Sequence, residues 1–304
     1  MKLSTYNEWD SLRHVIVGDA THANWPTSDP VFSQESAKTT WTQTPVPAGP
    51  VPQWIIDETN EDLDKFVKTL ELLGVQVSRP APIDFQAQDG LYNYCPRDRL
   101  LIYGSTVVDV AMMYPCRDQE IASYQSVLDS AATVIHMPRN SGMTMDAANL
   151  LRVNDRWLFL QSASGNLAAY NWLREQFPFV DIEVCQFYSG VHIDSTISVL
   201  NDGLVMLNAS RVNESNCPQM FRGWRKIYVD DVVAQDFYQY PYASKWIALN
   251  VFSINPSTVV VDAAQTQLIR KLEQHGMTVI PLTLRHSRTL GGGFHCVTLD
   301  LERA

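Results

Sequence analysis

HIDSTISVLNDGLVMLN (192–208) sets a short polar element before two apolar, β-branched runs, with an Asn-Asp-Gly turn signal between them. Such runs about a tight turn read as a β-hairpin, because Asn, Asp and Gly tolerate the left-handed backbone that the turn demands. The same plan recurs in CPRDRLLIYGSTVVDV from Cys95, MDAANLLRVNDRWLFLQS from Met145 and WIALNVFSINPSTVVVD from Trp246. Asp98, Asp146 and Asp194 follow one another at intervals of 48 residues, so the polar element itself repeats. GGGFHCVTLDL near the C-terminus reads as half of a further unit, and SLRHVIVG (11–18) can supply its missing strand.

Helical stretches lie between these hairpins. In DETNEDLDKFVKTLELLG (57–74), Leu63, Phe66, Val67, Leu70 and Leu73 share one face, and Gly74 is a stop signal. AAYNWLREQFP (168–178) and QTQLIRKLEQHG (265–276) read the same way, and each precedes a strand-like run, VDIEVCQF and TVIPLTL. Hairpin, helix and strand, repeated about five times, predict a closed ring of β-rich modules forming one domain over residues 1–304. Two stretches break the pattern. Residues 20–54 are rich in Pro, Ser and Thr and read as a long ordered loop or a lid over a site. The aromatic segment FRGWRKIYVDDVVAQDFYQYPYASKW (221–246) is expected near the site's mouth.

Composition narrows the partners. With 33 acidic against 23 basic residues the net charge is −10, which argues against nucleic acid or an anionic membrane as the main partner. A carboxylate surplus suits a cationic small molecule, although solubility alone also explains it. No apolar run approaches the roughly 18 residues that span a bilayer, and the N-terminus resembles neither a signal core nor an amphipathic presequence. Cys95, Cys116, Cys185, Cys217 and Cys296 are scattered, odd in number and free of any Cys-x-x-Cys pair. That pattern disfavours a disulfide framework or a structural zinc and points to a reducing cytoplasm. Neither a cofactor nor a metal is expected.

Cys296 ends LGGGFHC (290–296), where three glycines clear side chains from the start of an expected strand. It reads as a nucleophilic thiolate at a cleft, against the plainer alternative of a buried structural cysteine. His295 is set aside as its base, since neighbours on a strand face opposite ways. His192 is the candidate instead, sharing one strand face with Asp194 and Thr196 by period-two alternation. In a ring, equivalent positions converge on the axis, so Asp98, Asp146, Asp194, His192 and Cys296 would meet in one pocket. Three carboxylates there favour a planar cation such as guanidinium, which they can bind in bidentate fashion. A thiolate beside it can attack the central carbon while a histidine protonates the departing amine. A depressed thiol pKa is expected next to His192 and the bound cation.

At these residues the chain resembles the amidinotransferases, arginine:glycine amidinotransferase and its bacterial relatives. The likeness runs through YNEWDSLRHVIVG (6–18), PRD (96–98), MDAANLLR (145–152), HIDSTISVLNDGLVMLN (192–208), SKWIALNV (244–251) and LGGGFHCVTLDLER (290–303). It implies an α/β-propeller of five ββαβ modules with pseudo-fivefold symmetry. It implies Cys296 as the nucleophile that carries the amidino group, and His192 as acid to the leaving ornithine, then base to the incoming amine. Asp146 would orient His192, Asp98 and Asp194 would hold the guanidinium, Arg211 would bind the amino acid carboxylate, and Ser244 would touch substrate. L-arginine is the implied donor and a small amine the acceptor, glycine by default, with a homodimer common in such enzymes. The competing reading is an arginine deiminase-like hydrolase in which water resolves the intermediate. A catalytically idle binding module is a third.

Overall fold

The computed structural model describes residues 1–38 and 44–304. Its framework is five three-stranded sheets built to one plan. Leu100–Tyr103 and Thr106–Asp109 form an antiparallel hairpin, and Thr133–His136 adds to the second strand in parallel. The next unit repeats this with Leu150–Val153, Arg156–Leu160 and Asp181–Cys185. Ile197–Asn201, Leu204–Asn208 and Arg225–Val229 make the third, and Phe252–Asn255, Thr258–Asp262 and Thr278–Leu282 the fourth. The fifth joins both ends of the chain: Thr298–Arg303 pairs antiparallel with Leu12–Val17, which Gln76–Ser78 flanks in parallel. The turn signals fall at the two-residue loops, where Gly104, Asn154 and Gly203 carry φ of +58°, +59° and +89°.

Helices make most of the crossovers between second and third strands. Gln53–Leu72 buries Ile55, Ile56, Leu63, Phe66 and Leu70, and left-handed Gly74 ends it. Full burial of each such side chain contributes about 1.5–3 kcal/mol. The helix begins before the expected Asp57 because Pro52 opens it with a pre-set φ and the apolar Ile55 and Ile56 extend its buried face. Leu167–Gln176 and Thr266–Gln274 lie close to their expected spans, and Gln125–Ser130 closes the first crossover. The third crossover departs from the plan, with a single 3-10 turn at Gln219–Phe221. There Asn213 and its neighbours satisfy the backbone locally, as where Ser215 N–H donates to Asn213 Oδ1 at 2.9 Å, which competes with helix formation.

Each unit touches the next. Met145 N–H donates to Ala111 O, Ile193 N–H to Ala148 O, and Ser198 Oγ to Leu249 O. Arg303 Nη2 donates to Ser253 O at 2.8 Å, and Arg97 Nη2 to Asp300 Oδ1 at 2.8 Å, which brings the fifth unit to the first. Among these contacts runs a buried ionic cluster. Arg152 Nε donates to Glu8 Oε1 at 2.9 Å, and Asp300 also accepts from Arg303 Nε at 2.8 Å. Buried charges persist only when paired in this way.

Two expectations change. Residues 192–196 form turns rather than a strand, which begins at Ile197. His192 adopts φ +41°, and Thr196 and Ile197 both donate their N–H to Ile193 O, so the polar run closes on itself instead of pairing with a sheet. Likewise the glycine run caps the short helix Ser287–Leu290, with Gly291 left-handed, and the final strand begins only at Thr298. Alternation along a strand therefore says nothing about His295 or Asp194. In the 20–54 stretch, Asn24–Trp25 pairs with Gly49–Pro50, and Asp29 caps the helix Pro30–Ala37. Residues 39–43 of that stretch lie outside the described residues. No helix among the described residues is long and apolar enough to cross a membrane.

Candidate active site

Each candidate residue stands at an end of one of the repeated units. Asp98 closes the 3-10 turn Pro96–Asp98, and Asp146 precedes the turn Ala147–Asn149. His192 and Asp194 lie in the turns before Ile197, and Cys296 lies two residues before the final strand. The fold thus brings together side chains from four separate stretches of the chain. A carboxylate oxygen of Asp98, a ring nitrogen of His192 and Sγ of Cys296 all lie within 4.8 Å of one another.

Two cavities meet at His192. The larger, about 470 Å³, is lined by His192, Asp194, Arg211, Ser244 and Cys296, with Tyr188, Tyr242 and the 35–38 end of the capped helix at its mouth. A smaller one of about 80 Å³ is lined by Asp98, Asp146 and Arg117, and His192 lines both. The aromatic 221–246 segment lines the larger cavity through Tyr240, Tyr242 and Ser244.

His192 Nε2 hydrogen-bonds Asp146 Oδ2 at 2.9 Å, and its Nδ1 faces Asp98 Oδ1 at 3.6 Å. Asp146 is itself held, since Met113 N–H donates to its Oδ1 at 2.8 Å. Burial opposes charge on His192, but the Asp98 charge and the bonds to Asp146 and Cys296 outweigh it and push the imidazole well above its ordinary pKa. Arg117 Nη1 donates to Asp98 Oδ2 at 2.8 Å, leaving the buried Asp98 Oδ1 with no hydrogen bond. An unmet buried acceptor costs about 1–3 kcal/mol, so this oxygen is poised for a donor. Burial raises the Asp98 pKa, against the pull of His192 and Arg117.

Asp194 Oδ2 accepts from Cys296 Sγ at 3.2 Å and from His295 Nδ1 at 2.9 Å. The His295 bond holds Asp194 down at about 2 despite its burial. Cys296 behaves otherwise than expected. A hydrogen bond with Cys95, then burial, then the Asp194 charge push its thiol well above the ordinary value, and the His192 bond only partly offsets them. The Cys95 bond, burial and the Asp194 carboxylate thus all favour the thiol over the thiolate.

Arg211 Nη1 donates to Thr196 Oγ1 at 2.7 Å, and its guanidinium stacks 4.4 Å from the Tyr188 ring centroid, with no carboxylate against it among the described residues. Ser244 caps the 3-10 turn Lys245–Leu249 at the cavity wall. Several residues at the site escaped the sequence reading. Asn250 Oδ1 accepts the Cys296 N–H at 2.9 Å while its Nδ2 reaches Asp194 O at 3.3 Å, so one amide sets both neighbours. Its signal was available: Asn149 and Asn250 each follow or end a 3-10 turn just ahead of a hairpin. His295 joins Asp194 to Glu8, whose Oε2 lies 3.1 Å from His295 Nε2. Gly292 earns its place by space, since a Cβ there would come within 2.5 Å of Cys95 Sγ and 3.2 Å of Cys296 Cβ.

A thiol, an imidazole and three carboxylates around a solvent-reaching cavity equip the chain for nucleophilic work on a cationic carbon. No family model matches the chain. Individual proteins do. Inosamine-phosphate amidinotransferase 1 of Streptomyces griseus is 39% identical over 338 residues, covering 99% of this chain and 97% of that protein. The L-arginine:L-lysine amidinotransferase of Pseudomonas savastanoi pv. phaseolicola is 27% identical across 98% of this chain and 94% of its own. The solved inosamine-phosphate amidinotransferase of Streptomyces griseus superposes with a TM-score of 0.94 at 38% identity, over 99% of this chain and 97% of that one. The chain belongs to the amidinotransferases.

Proposed function

We propose that the chain takes the amidino group of L-arginine onto Cys296 and passes it to a primary amine, releasing ornithine. The carrying observation is the approach of Asp98, His192 and Cys296 to within 4.8 Å where the cavity meets its floor. The Cys296 thiolate attacks the guanidinium carbon while Asp98 and Asp194 hold its nitrogens. His192 gives its proton to the departing δ-nitrogen, and ornithine leaves as a neutral amine. The incoming amine then loses a proton to His192, attacks the amidino carbon and expels the thiolate. Asp146 keeps the imidazole turned for both steps, as its 2.9 Å bond to Nε2 suits. Arg211, without a carboxylate partner among the described residues, would take that of arginine, and Ser244 would touch substrate from the wall.

The high thiol pKa fits a substrate-assisted start, in which the arriving cation offsets Asp194, lowers the cost of the thiolate and lets the thiol proton leave to solvent, His192 keeping its own proton for the leaving amine. For the acceptor, the relatives' names point to an inosamine phosphate ahead of lysine. The five units are taken to close into an α/β-propeller with pseudo-fivefold symmetry, which the contacts running from the first unit through the fifth and back support. Five free cysteines suit a reducing cytoplasm.

The test is arginine incubated with the enzyme alone and with an amine panel, followed by mass spectrometry. Ornithine plus a new guanidino compound, dependent on the amine, is the expected result. Citrulline formed without any amine would defeat transfer in favour of hydrolysis.

A further inference from the structure

The site carries a second capacity that no spacing along the chain announces. Thiolate, imidazole and carboxylate together are a ligand set that suits zinc. One donor atom each from Cys296, His192 and Asp98 lies within 4.8 Å of the others, and His192 Nδ1 stands 3.6 Å from Asp98 Oδ1. Ligands bonded at zinc distances in a tetrahedron sit roughly 3.3–3.8 Å apart, so that pair needs almost no movement.

The surroundings complete the set. Asp98 Oδ1 is buried and has no hydrogen-bond partner, while Arg117 pins its sister oxygen at 2.8 Å. Asp146 accepts from His192 Nε2, which leaves Nδ1 to bind; a carboxylate behind a ligating histidine fixes its tautomer and raises its basicity. The fourth position faces the 470 Å³ cavity that His192 and Cys296 both line, so an ion has a path in and room for a water.

We propose that Asp98, His192 and Cys296 form a reversible binding site for a divalent cation of the zinc type, and that its occupancy blocks arginine. On binding, the Cys296 thiol forms a metal–sulfur bond and its proton leaves to solvent. His192 sheds its extra proton likewise and binds as neutral imidazole. No electron transfer is involved. The block, though not the binding, rests on the transferase reading above.

Zinc and cobalt(II) are titrated into chelator-stripped protein. One equivalent should bind, and cobalt should give the thiolate-to-metal absorption of a sulfur ligand. Cys296→Ser should abolish that band, Asp98→Asn should weaken binding by roughly 10–100-fold, and Cys185→Ser should change neither. Zinc should inhibit arginine turnover, less so at saturating arginine, with activity restored by a chelator. No saturable binding, or unaltered affinity in Cys296→Ser that still binds arginine, overturns the proposal. Zinc bound as described in a protein that transfers to no amine would sink the transferase reading alone; transfer without zinc binding would sink the metal site alone.

Discussion

The floor of the cavity and its mouth are built differently. At the floor every reacting side chain has at least one fixed neighbour: Asp146 on His192, Arg117 on Asp98, His295 on Asp194 and Asn250 on Cys296. At the mouth, Glu35, Lys38 and Ser189 come from a capped helix and from a loop, and the Lys38–Glu35 pair has a lysine side chain 60% exposed. The floor fixes its buried charges in position, while the Lys38–Glu35 pair at the mouth is a solvent-exposed contact. On the proposed reading, donor chemistry belongs to the braced half, and acceptor choice to the loose one.

The largest break should come from Cys296→Ala, with turnover lost by roughly 10⁴–10⁶-fold and arginine binding still measurable by calorimetry. If turnover survives, the floor is not where the chemistry happens. His192→Ala should cost about 10²–10⁴-fold in kcat, measured with saturating arginine and acceptor.

Asp194→Asn should separate two roles of one carboxylate. Losing a charged hydrogen bond of about 1.5–3 kcal/mol should lower kcat/KM for arginine by roughly 10–100-fold. In the free protein the same change should move the Cys296 thiol pKa downward, since the removed negative charge had opposed the thiolate. Thiolate absorbance followed against pH, with Cys296→Ser as the blank, reads this out. An unmoved or higher pKa would deny that Asp194 holds the thiol protonated. The smallest effect belongs to the mouth: Lys38→Ala should change the acceptor KM by less than about 5-fold, in keeping with an exposed ion pair, and leave the arginine half-reaction alone. A large loss of amidino-Cys296 formation in that variant would erase the distinction between floor and mouth.

The hairpins were legible because their information is local. Gly104, Asn154 and Gly203 sit where two-residue turns need left-handed backbone, and β-branched runs flank them. The 48-residue spacing of the aspartates was legible for the same reason, as a repeat of one local design. What the sequence hid was conformation set by distant partners. His192 holds a left-handed turn that nothing in GVHIDST demands, and its strand-like alternation was a coincidence of polar residues. Asn250, Arg117 and Glu8 matter through side chains they meet only after folding. The thiol's raised pKa depends on Cys95, remote in sequence and adjacent in space.

The sheet that carries Cys296 toward the cavity is stitched from the first and last strands of the chain, Leu12–Val17 against Thr298–Arg303. Closing so long a loop is among the slowest events a folding domain undertakes. During synthesis the other four units can assemble while the reactive sulfur is still in the ribosome or just leaving it. The enzyme would therefore acquire its nucleophile last, as the strand that locks it in place docks beside one made long before.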